Sequence, residues 1–428
     1  MTPGAKLLAV ENILSEVLGK VFTSNIAADN ILKIWYRKNK YVGSKDRKEI
    51  SNSLFGILKY YFILVNIINL NLKTFDLKIS FQLVIIYYAL IRNNYEYIIN
   101  CFDDGPHAPN MNQKIFEYLK IIKNISLSKN YINTSFPDWL NREFLYSFKE
   151  DTNSIYASLL NEANIDLRVT DIYKRDEVYK KILKYDDLAI KTAFSPLGIR
   201  LSKRIVLKNI RELKGEFIEF QDEGSQLVTL LSGVKEGEVV LDLCAGAGGK
   251  TLLLASLVNN VKIIATDFDS YRLKNIKLRN TWIKYKNKIE IVDDYKNLNL
   301  LVDRVICDVP CSGSGSWRRR PEEKIRITKE RFNDLLLDQK DILKKASKLL
   351  KVGGELVYIT CSLLRTENED QIECFIKNNS DFQIVDLKYS WDKIVKTHSW
   401  NSNNLFCQLL PNTNGCDGFF IALLRKFE

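Results

Sequence analysis

The sequence predicts an α/β protein in three parts: a doubly wound, mostly parallel sheet in the carboxy-terminal half, a small α+β domain before it, and an all-helical amino-terminal domain. Three observations carry this. From Gly237 onward, short apolar runs alternate with amphipathic stretches, as strands alternate with covering helices. The first such run, Val239-Val240-Leu241-Asp242-Leu243, leads into a glycine-rich turn. Residues 1 to about 130 repeat apolar side chains at three- and four-residue steps with few glycines or prolines, the periodicity of helices. The domain boundaries expected from these patterns are 1–130, 135–235 and 236–428.

Leu7, Leu8, Val10, Ile13, Leu14, Val17 and Leu18 make the first helical stripe, and Asp103-Asp104-Gly105-Pro106 reads as a turn. The apolar runs Tyr60 to Leu70 and Phe81 to Ile91 are shorter than the roughly 18 to 20 residues a membrane span needs, so both read as core helices and no membrane partner is expected. Lys33 to Lys48 holds Lys33, Arg37, Lys38, Lys40, Lys45, Arg47 and Lys48 against Asp46, with Trp35, Tyr36 and Tyr41 interleaved. That mixture suits RNA phosphates and stacked bases; a solvated helix face over core aromatics would read the same. The middle region shows strand-like runs at Ile165 to Val169, Ile205-Val206-Leu207 and Phe217 to Phe220. In the carboxy-terminal region strands are expected at 239–243, 262–266, 289–292, 303–307 and 354–360, with an edge pair near 404–410 and 418–424.

Composition bounds the chemistry. The chain has 428 residues, 63 Lys+Arg against 52 Asp+Glu, and a net charge of +11. The excess favours a polyanionic partner, although the abundance of Asn, Ile and Lys would itself produce it. The only histidines are His107 and His398, neither near a nucleophile motif, which disfavours Ser-His and Cys-His hydrolases and zinc. The eight cysteines show no C-x-x-C spacing and no secretory leader is read, so a reducing cytoplasm is expected, and a monomer.

Three readings compete for Cys244 to Thr251. A phosphate-binding P-loop needs a glycine at 244, which is Cys; a dinucleotide fingerprint needs one at 251, which is Thr. A loop for S-adenosylmethionine needs an acid at the strand end, then glycines, then a helix. Asp242, Gly246, Gly248 and Gly249 fit it. The next strand ends at Asp267, placed to accept ribose hydroxyls, and Asp293 or Asp294 follows the third strand, placed for the adenine edge.

Two cysteines stand apart. Cys311 lies in Asp308-Val309-Pro310-Cys311-Ser312-Gly313 and Cys361 in Thr360-Cys361-Ser362, each after a strand-like run. Carbon-5 of a pyrimidine is a poor nucleophile; thiolate attack on carbon-6 makes carbon-5 an enamine terminus that can take a methyl group. One thiol attacks, a second assists release, and Asp308 can hydrogen-bond the ring's nitrogen edge. Amino-nitrogen methylation would favour an aromatic residue at 311. Cys101, Cys307, Cys374 and Cys407 read as buried small hydrophobes.

These residues carry a resemblance. Asp308-Val-Pro-Cys-Ser-Gly-Ser-Gly with Trp317-Arg-Arg-Arg-Pro321, Tyr358-Ile-Thr-Cys-Ser-Leu-Leu with Glu367-Asn368-Glu369, and Gln221-Asp222-Glu223-Gly224-Ser225-Gln226 resemble the Sun/RsmB family of RNA cytosine carbon-5 methyltransferases. The resemblance implies a Rossmann-like class I methyltransferase domain using S-adenosylmethionine. It implies Cys361 as nucleophile, Cys311 for product release and Asp308 orienting the base beside the cofactor. Cys244, Ala245, Gly246, Ala247, Gly248, Gly249, Lys250, Asp267 and Asp294 would hold the cofactor. The family loop usually reads Cys-Ala-x-Pro-Gly-Gly-Lys; Gly246-Ala247 departs from it here. Tyr41-Val-Gly-Ser-Lys-Asp-Arg-Lys-Glu-Ile and Leu54-Phe-Gly-Ile-Leu-Lys resemble the NusB-like RNA-binding domain of the small-subunit rRNA members, implying 16S rRNA as partner, with tRNA or another rRNA as the alternative.

Overall fold

A computed structural model describes residues 1–24, 26–127, 136–205, 213, 218–282, 287–293, 298, 300–396 and 405–427. The chain divides into two units: Met1–Glu162 with Trp317–Lys329, and Ala163–Ser316 with Glu330–Glu428.

The first unit is helical: α1 (Pro3–Lys20), α2 (Ala28–Lys38), α3 (Ser44–Asn71), α4 (Ile79–Ile86, continued by a wider turn, Tyr87–Ile91), α5 (Tyr95–Cys101), α6 (Gln113–Lys123), α7 (Asp138–Phe148) and α8 (Thr152–Leu160). Thr2 starts α1 by accepting the Ala5 amide, with Pro3 in the first turn where its missing N–H costs nothing. The stripe Leu7, Val10, Ile13, Leu14 and Val17 is buried, while Leu8 and Leu18 sit at its margin. The run read at 60–70 belongs to α3, 28 residues long and by length and composition able to cross a membrane; Ile50, Leu54, Leu64 and Ile67 of that helix are buried in the helical core. Trp35 and Tyr36 also pack on this core, whereas Tyr41 is exposed.

Trp317–Lys329 departs from the carboxy-terminal half of the sequence to join this unit. The buried Trp317 ring lies 5.6 Å from Phe136 and 6.1 Å from Phe144. Beyond it comes the short α9 (Glu323–Arg326). Ile325 enters the helical core, Arg326 Nε donates to the Val21 carbonyl at 2.9 Å, and buried Lys324 donates to the Lys59 carbonyl.

The second unit contains two sheets. The smaller is antiparallel, ordered β2-β3-β1-β4, from β1 (Ile165–Val169), β2 (Ile190–Lys191), β3 (Gly198–Leu201) and β4 (Ile218–Phe220), with α10 (Arg175–Leu183). Ile205 is not in a strand; 206, 207 and 217 lie outside the described residues. Next come α11 (Glu223–Leu231), β5 (Val239–Asp242), α12 (Gly249–Leu257), β6 (Lys262–Ala265), α13 (Ser270–Trp282), β7 (Ile289–Ile291), β8 (Val302–Asp308), α14 (Lys329–Lys348), β9 (Leu350–Thr360), α15 (Glu369–Asn378), β10 (Phe382–Val385), α16 (Lys388–Ile394), β11 (Cys407–Leu409) and β12 (Phe419–Lys426).

The larger sheet runs β10-β12-β9-β8-β5-β6-β7, with β11 on β12. β5 to β9 pair in parallel, while β10, β11 and β12 join antiparallel. The two strands expected as an edge pair are β11 and β12, but β12 lies inside the sheet between β10 and β9, and β10 was not anticipated. From β5 the chain winds one way through β6 and β7, then restarts at β8 on the other side. The crevice where such a sheet reverses, at the carboxyl ends of β5 and β8, is where doubly wound sheets bind ligands. Apolar residues fill both faces. Arg304 is buried and paired with Glu238 at 2.9 Å and Glu355 at 2.5 Å; losing one acid there would cost about 3–5 kcal/mol, because a buried charge would lose its partner.

Candidate active site

β5 ends on Asp242, and the turn after it needs two left-handed residues: Gly246 at φ 55° and Gly248 at φ 84°. A Cβ at Gly248 would come 2.5 Å from Ile276 Cγ1, so α13 packs against bare backbone there. The turn is bonded to the end of β6: the Ala245 amide donates to the Thr266 carbonyl at 2.9 Å and the Gly246 amide to Asp267 Oδ2 at 2.7 Å. Arg279 donates to the Ala247 carbonyl at 2.7 Å and pairs with Glu219 at 2.6 Å, so α13 and β4 steady the loop from outside.

Asp267 is buried, and its Oδ1 accepts the Asp269 amide at 2.9 Å. Each oxygen thus holds one amide, and Oδ2 also faces the Arg272 guanidinium at 3.5 Å, so Oδ1 is the oxygen with room for another donor. Asp242 Oδ2 accepts from Thr251 at 2.6 Å, whereas Oδ1 is buried with no partner among the described residues. Burial, reinforced by the charges of Asp308 and Asp267, pushes the Asp242 carboxyl up to about 7 against the pull of Thr251 and Lys250. Asp293 lies in a bend after β7 and is exposed; Asp294 lies outside the described residues.

The next two strands deliver the rest. β8 ends on Asp308, β9 on Thr360, and their parallel register places Asp308 beside Ile359, with the Val309 amide donating to the Ile359 carbonyl at 3.0 Å. The residues beyond these ends therefore emerge together. Cys311 Sγ lies 3.4 Å from Cys361 Sγ, and the Gly315 amide donates to the Cys361 carbonyl at 3.0 Å. The hydrogen bond to Cys361, then burial, then the charge of Cys361 raise the Cys311 thiol well above its ordinary value. Lys250, at the start of α12, reaches across to Asp308 Oδ2 at 2.6 Å. Burial opposes its charge, but Asp308, helped by Cys361 and Asp242, holds the ammonium above its usual value.

Cys244, Gly246, Lys250, Asp267, Asp308, Cys311 and Cys361 thus gather around the carboxyl ends of β5, β6, β8 and β9. Among the cysteines read as structural, Cys101, Cys307 and Cys407 are buried, but Cys374 is exposed. It sits on α15, which turns Ile372 and Phe375 inward and leaves Cys374 facing out. The Gln221–Gln226 signature proves to be a brace: Asp222 Oδ1 accepts the amides of Gly224 at 2.8 Å and Asp417 at 3.1 Å, and buried Glu223 accepts those of Phe194 and Ser195 at 2.6 and 2.9 Å. Two features escaped the residue-level reading: Arg279 as a support of the loop, and Glu367 between the cysteine turns. Glu367 stands six positions after Cys361 in a motif already singled out, but nothing local marks it as buried.

A family model described as 16S rRNA methyltransferase RsmB/F matches residues 228–425. A Synechocystis protein named "probable ribosomal RNA small subunit methyltransferase B" is 34% identical over 314 residues, 71% of this chain and 68% of that protein. Among solved structures, PH0851 covers 100% of this chain and 99% of its own at TM-score 0.75 and 23% identity. NSun6 from Pyrococcus horikoshii, solved with SFG, an S-adenosylmethionine analogue, covers 68% of this chain and 99% of its own at TM-score 0.56 and 20% identity; these two likenesses are likenesses of fold.

Proposed function

The chain belongs to the RsmB/F family of 16S rRNA methyltransferases, and we propose that it methylates carbon-5 of a cytosine in 16S rRNA through a covalent adduct on Cys361. The family's methyl donor is S-adenosylmethionine, which supplies an electrophilic methyl on a sulfonium. The residues here fit that ligand: Gly246, Gly248 and Gly249 carry no side chain at the turn, Asp242 Oδ1 is buried without a partner among the described residues, and Asp267 presents a carboxylate just beyond β6. Cys244 to Lys250 and Asp267 would hold it, with Asp294 as the expected adenine contact.

One observation carries the carbon-5 reading: the 3.4 Å contact between two sulfurs beside the Lys250–Asp308 pair. Methylating an exocyclic nitrogen needs no thiol. Methylating carbon-5 needs a nucleophile at carbon-6 and a way to undo the adduct. The thiol of Cys311 is raised well above its ordinary value and so keeps its proton, which suits it to release, with Cys361 as the attacking sulfur. Asp308, held by Lys250, hydrogen-bonds the nitrogen edge of the ring. After methyl transfer, Cys311 gives its proton to the departing Cys361 sulfur and takes up the carbon-5 proton, so both thiols end protonated; loss of one proton to solvent then readies Cys361 for the next attack.

The helical unit supplies an RNA-binding surface in this reading, consistent with a NusB-like role. A cleft of about 340 Å³ there is lined by Lys45, Lys48, Arg92, Tyr88 and Tyr97, among others, and cations around an aromatic-lined cleft suit a phosphodiester with an adjacent base. The test is transfer of labelled methyl to purified 16S rRNA followed by nucleoside analysis. Label in 5-methylcytidine is expected. Label in an N-methylated nucleoside would overturn the chemistry, and label only in tRNA would overturn the substrate.

A further inference from the structure

Glu367 lies in the single turn Arg365–Glu367 between the Cys361 loop and α15, and is fully buried. Its carboxylate has four donors. Oε1 accepts the Ser312 amide at 2.7 Å and Gln339 Nε2 at 3.0 Å; Oε2 accepts the hydroxyls of Ser312 and Ser362, each at 2.5 Å. Ser312 follows Cys311 and Ser362 follows Cys361. Gln339 of α14 also donates to the Pro310 carbonyl at 3.0 Å, so the residues on both sides of Cys311 are tied to one group.

The direction of these bonds follows from the surrounding amides. Ser362 Oγ accepts the Leu364 amide at 3.0 Å and Ser312 Oγ accepts the Ser314 amide at 3.3 Å. Glu367 Oε2 is much nearer each hydroxyl than the hydroxyls are to each other (3.3 Å) or Ser362 Oγ is to Ser314 Oγ (3.1 Å), so both protons go to Glu367, and four donors on two oxygens suit a carboxylate, not an acid. Burial raises the carboxyl group, and these bonds work against that rise. Buried carboxylates are costly unless so satisfied, and an apolar residue would fill the same space without that cost. The position thus carries a charge whose bonds all go to the two cysteine turns and the helix behind them.

We propose that Glu367 is a positioning residue whose carboxylate clamps the Ser312 and Ser362 turns together and thereby holds the sulfurs of Cys311 and Cys361 in contact. The clamp rests on the thiol-pair mechanism above for its purpose, but its geometry can be measured without RNA. A trivalent arsenical such as phenylarsine oxide bridges two thiols only when they adjoin, forming two As–S bonds and releasing its oxygen as water with the two thiol protons. The parent enzyme should bind it through Cys311 and Cys361, and Cys361→Ala should not.

Glu367→Gln keeps the shape, removes the charge and turns one acceptor into a donor facing donors. It should weaken arsenical binding and lower kcat, each by about ten-fold or more, with the KM for RNA and the affinity for S-adenosylmethionine within about two-fold. A folded Glu367→Gln enzyme with parental arsenical binding and kcat would overturn the clamp. If that variant does not fold, the Ser312→Ala/Ser362→Ala double variant, which cuts both hydroxyl ties, must show the same losses; parental values there overturn the proposal equally. If the parent binds arsenical and the variants do not, yet no 5-methylcytidine forms, the clamp stands and the carbon-5 reading fails.

Discussion

Cys311 and Cys361 are 50 residues apart in sequence, yet their sulfurs lie 3.4 Å apart. The contact follows from neighbouring parallel strands that end in register, so that the turns after β8 and β9 meet over the same crevice. A side chain from each turn then faces one substrate position, which a thiol pair buried only for packing would not require.

The two thiols should fail differently. Cys361→Ala should abolish methyl transfer while S-adenosylmethionine binding stays near parental. Cys311→Ala should still attack and methylate but release slowly, accumulating a protein–RNA complex that depends on S-adenosylmethionine and runs as a shifted band on a denaturing gel. The double variant should give no band. A complex from Cys361→Ala and none from Cys311→Ala would reverse the assignments.

Asp267→Ala should weaken S-adenosylmethionine binding about ten-fold or more, since hydrogen bonds to a charged acceptor contribute about 1.5–3 kcal/mol each. The effect has two sources: loss of the acceptor, and loosening of the Gly246 amide that Asp267 holds at 2.7 Å. Asp267→Asn, which keeps one carbonyl oxygen, should fall between. Calorimetry showing unchanged affinity for the alanine variant would place the ribose contact elsewhere.

Lys324 predicts a pH effect on the helical unit. Burial, with Lys59 nearby, lowers its ammonium to about 7, while the unfolded chain titrates near the ordinary lysine value. Between those two values the unfolded state binds more protons, so stability rises with pH across that window, falls as pH drops toward about 7, and levels off below it. Lys324→Met should flatten this dependence and raise stability at neutral pH. Melting curves across the window check it; parallel curves for parent and variant would contradict it.

Replacing Lys45, Lys48 and Arg92 together by Ala in the full chain should weaken RNA binding with little effect on S-adenosylmethionine. Each lost phosphate contact should reduce the slope of log affinity against log salt by about 0.7–0.9. Full-length variants are the right comparison, because deleting residues 1–130 would also strip Trp317–Lys329 of its partners within the same unit. An unchanged salt slope would show that the cleft does not contact phosphate.

Much of the fold was legible locally. Apolar runs marked β5 to β9 within a residue or two at most ends, and the glycines at 246 and 248 marked a turn that only left-handed residues can make. The placement of the candidate site residues was legible for the same reason: Asp308, Cys311, Thr360 and Cys361 sit at strand ends, and a strand end is a local property. The amphipathic helix that turns Cys374 outward was misread because a lone cysteine does not declare its face.

By itself the sequence determined most of the elements, the strand ends on which the candidate site residues sit, and the kind of ligand the glycine loop admits. Tertiary structure alone decided the order of strands, and with it the sulfur contact, the reach of Lys250 to Asp308, the antiparallel addition of β10, the burial of Glu367 between two serines, and the capture of Trp317 by the helical unit. The physical reason is that periodicity and turn preference are set by neighbours a few residues away, whereas each of these contacts joins groups whose proximity depends on how distant elements pack.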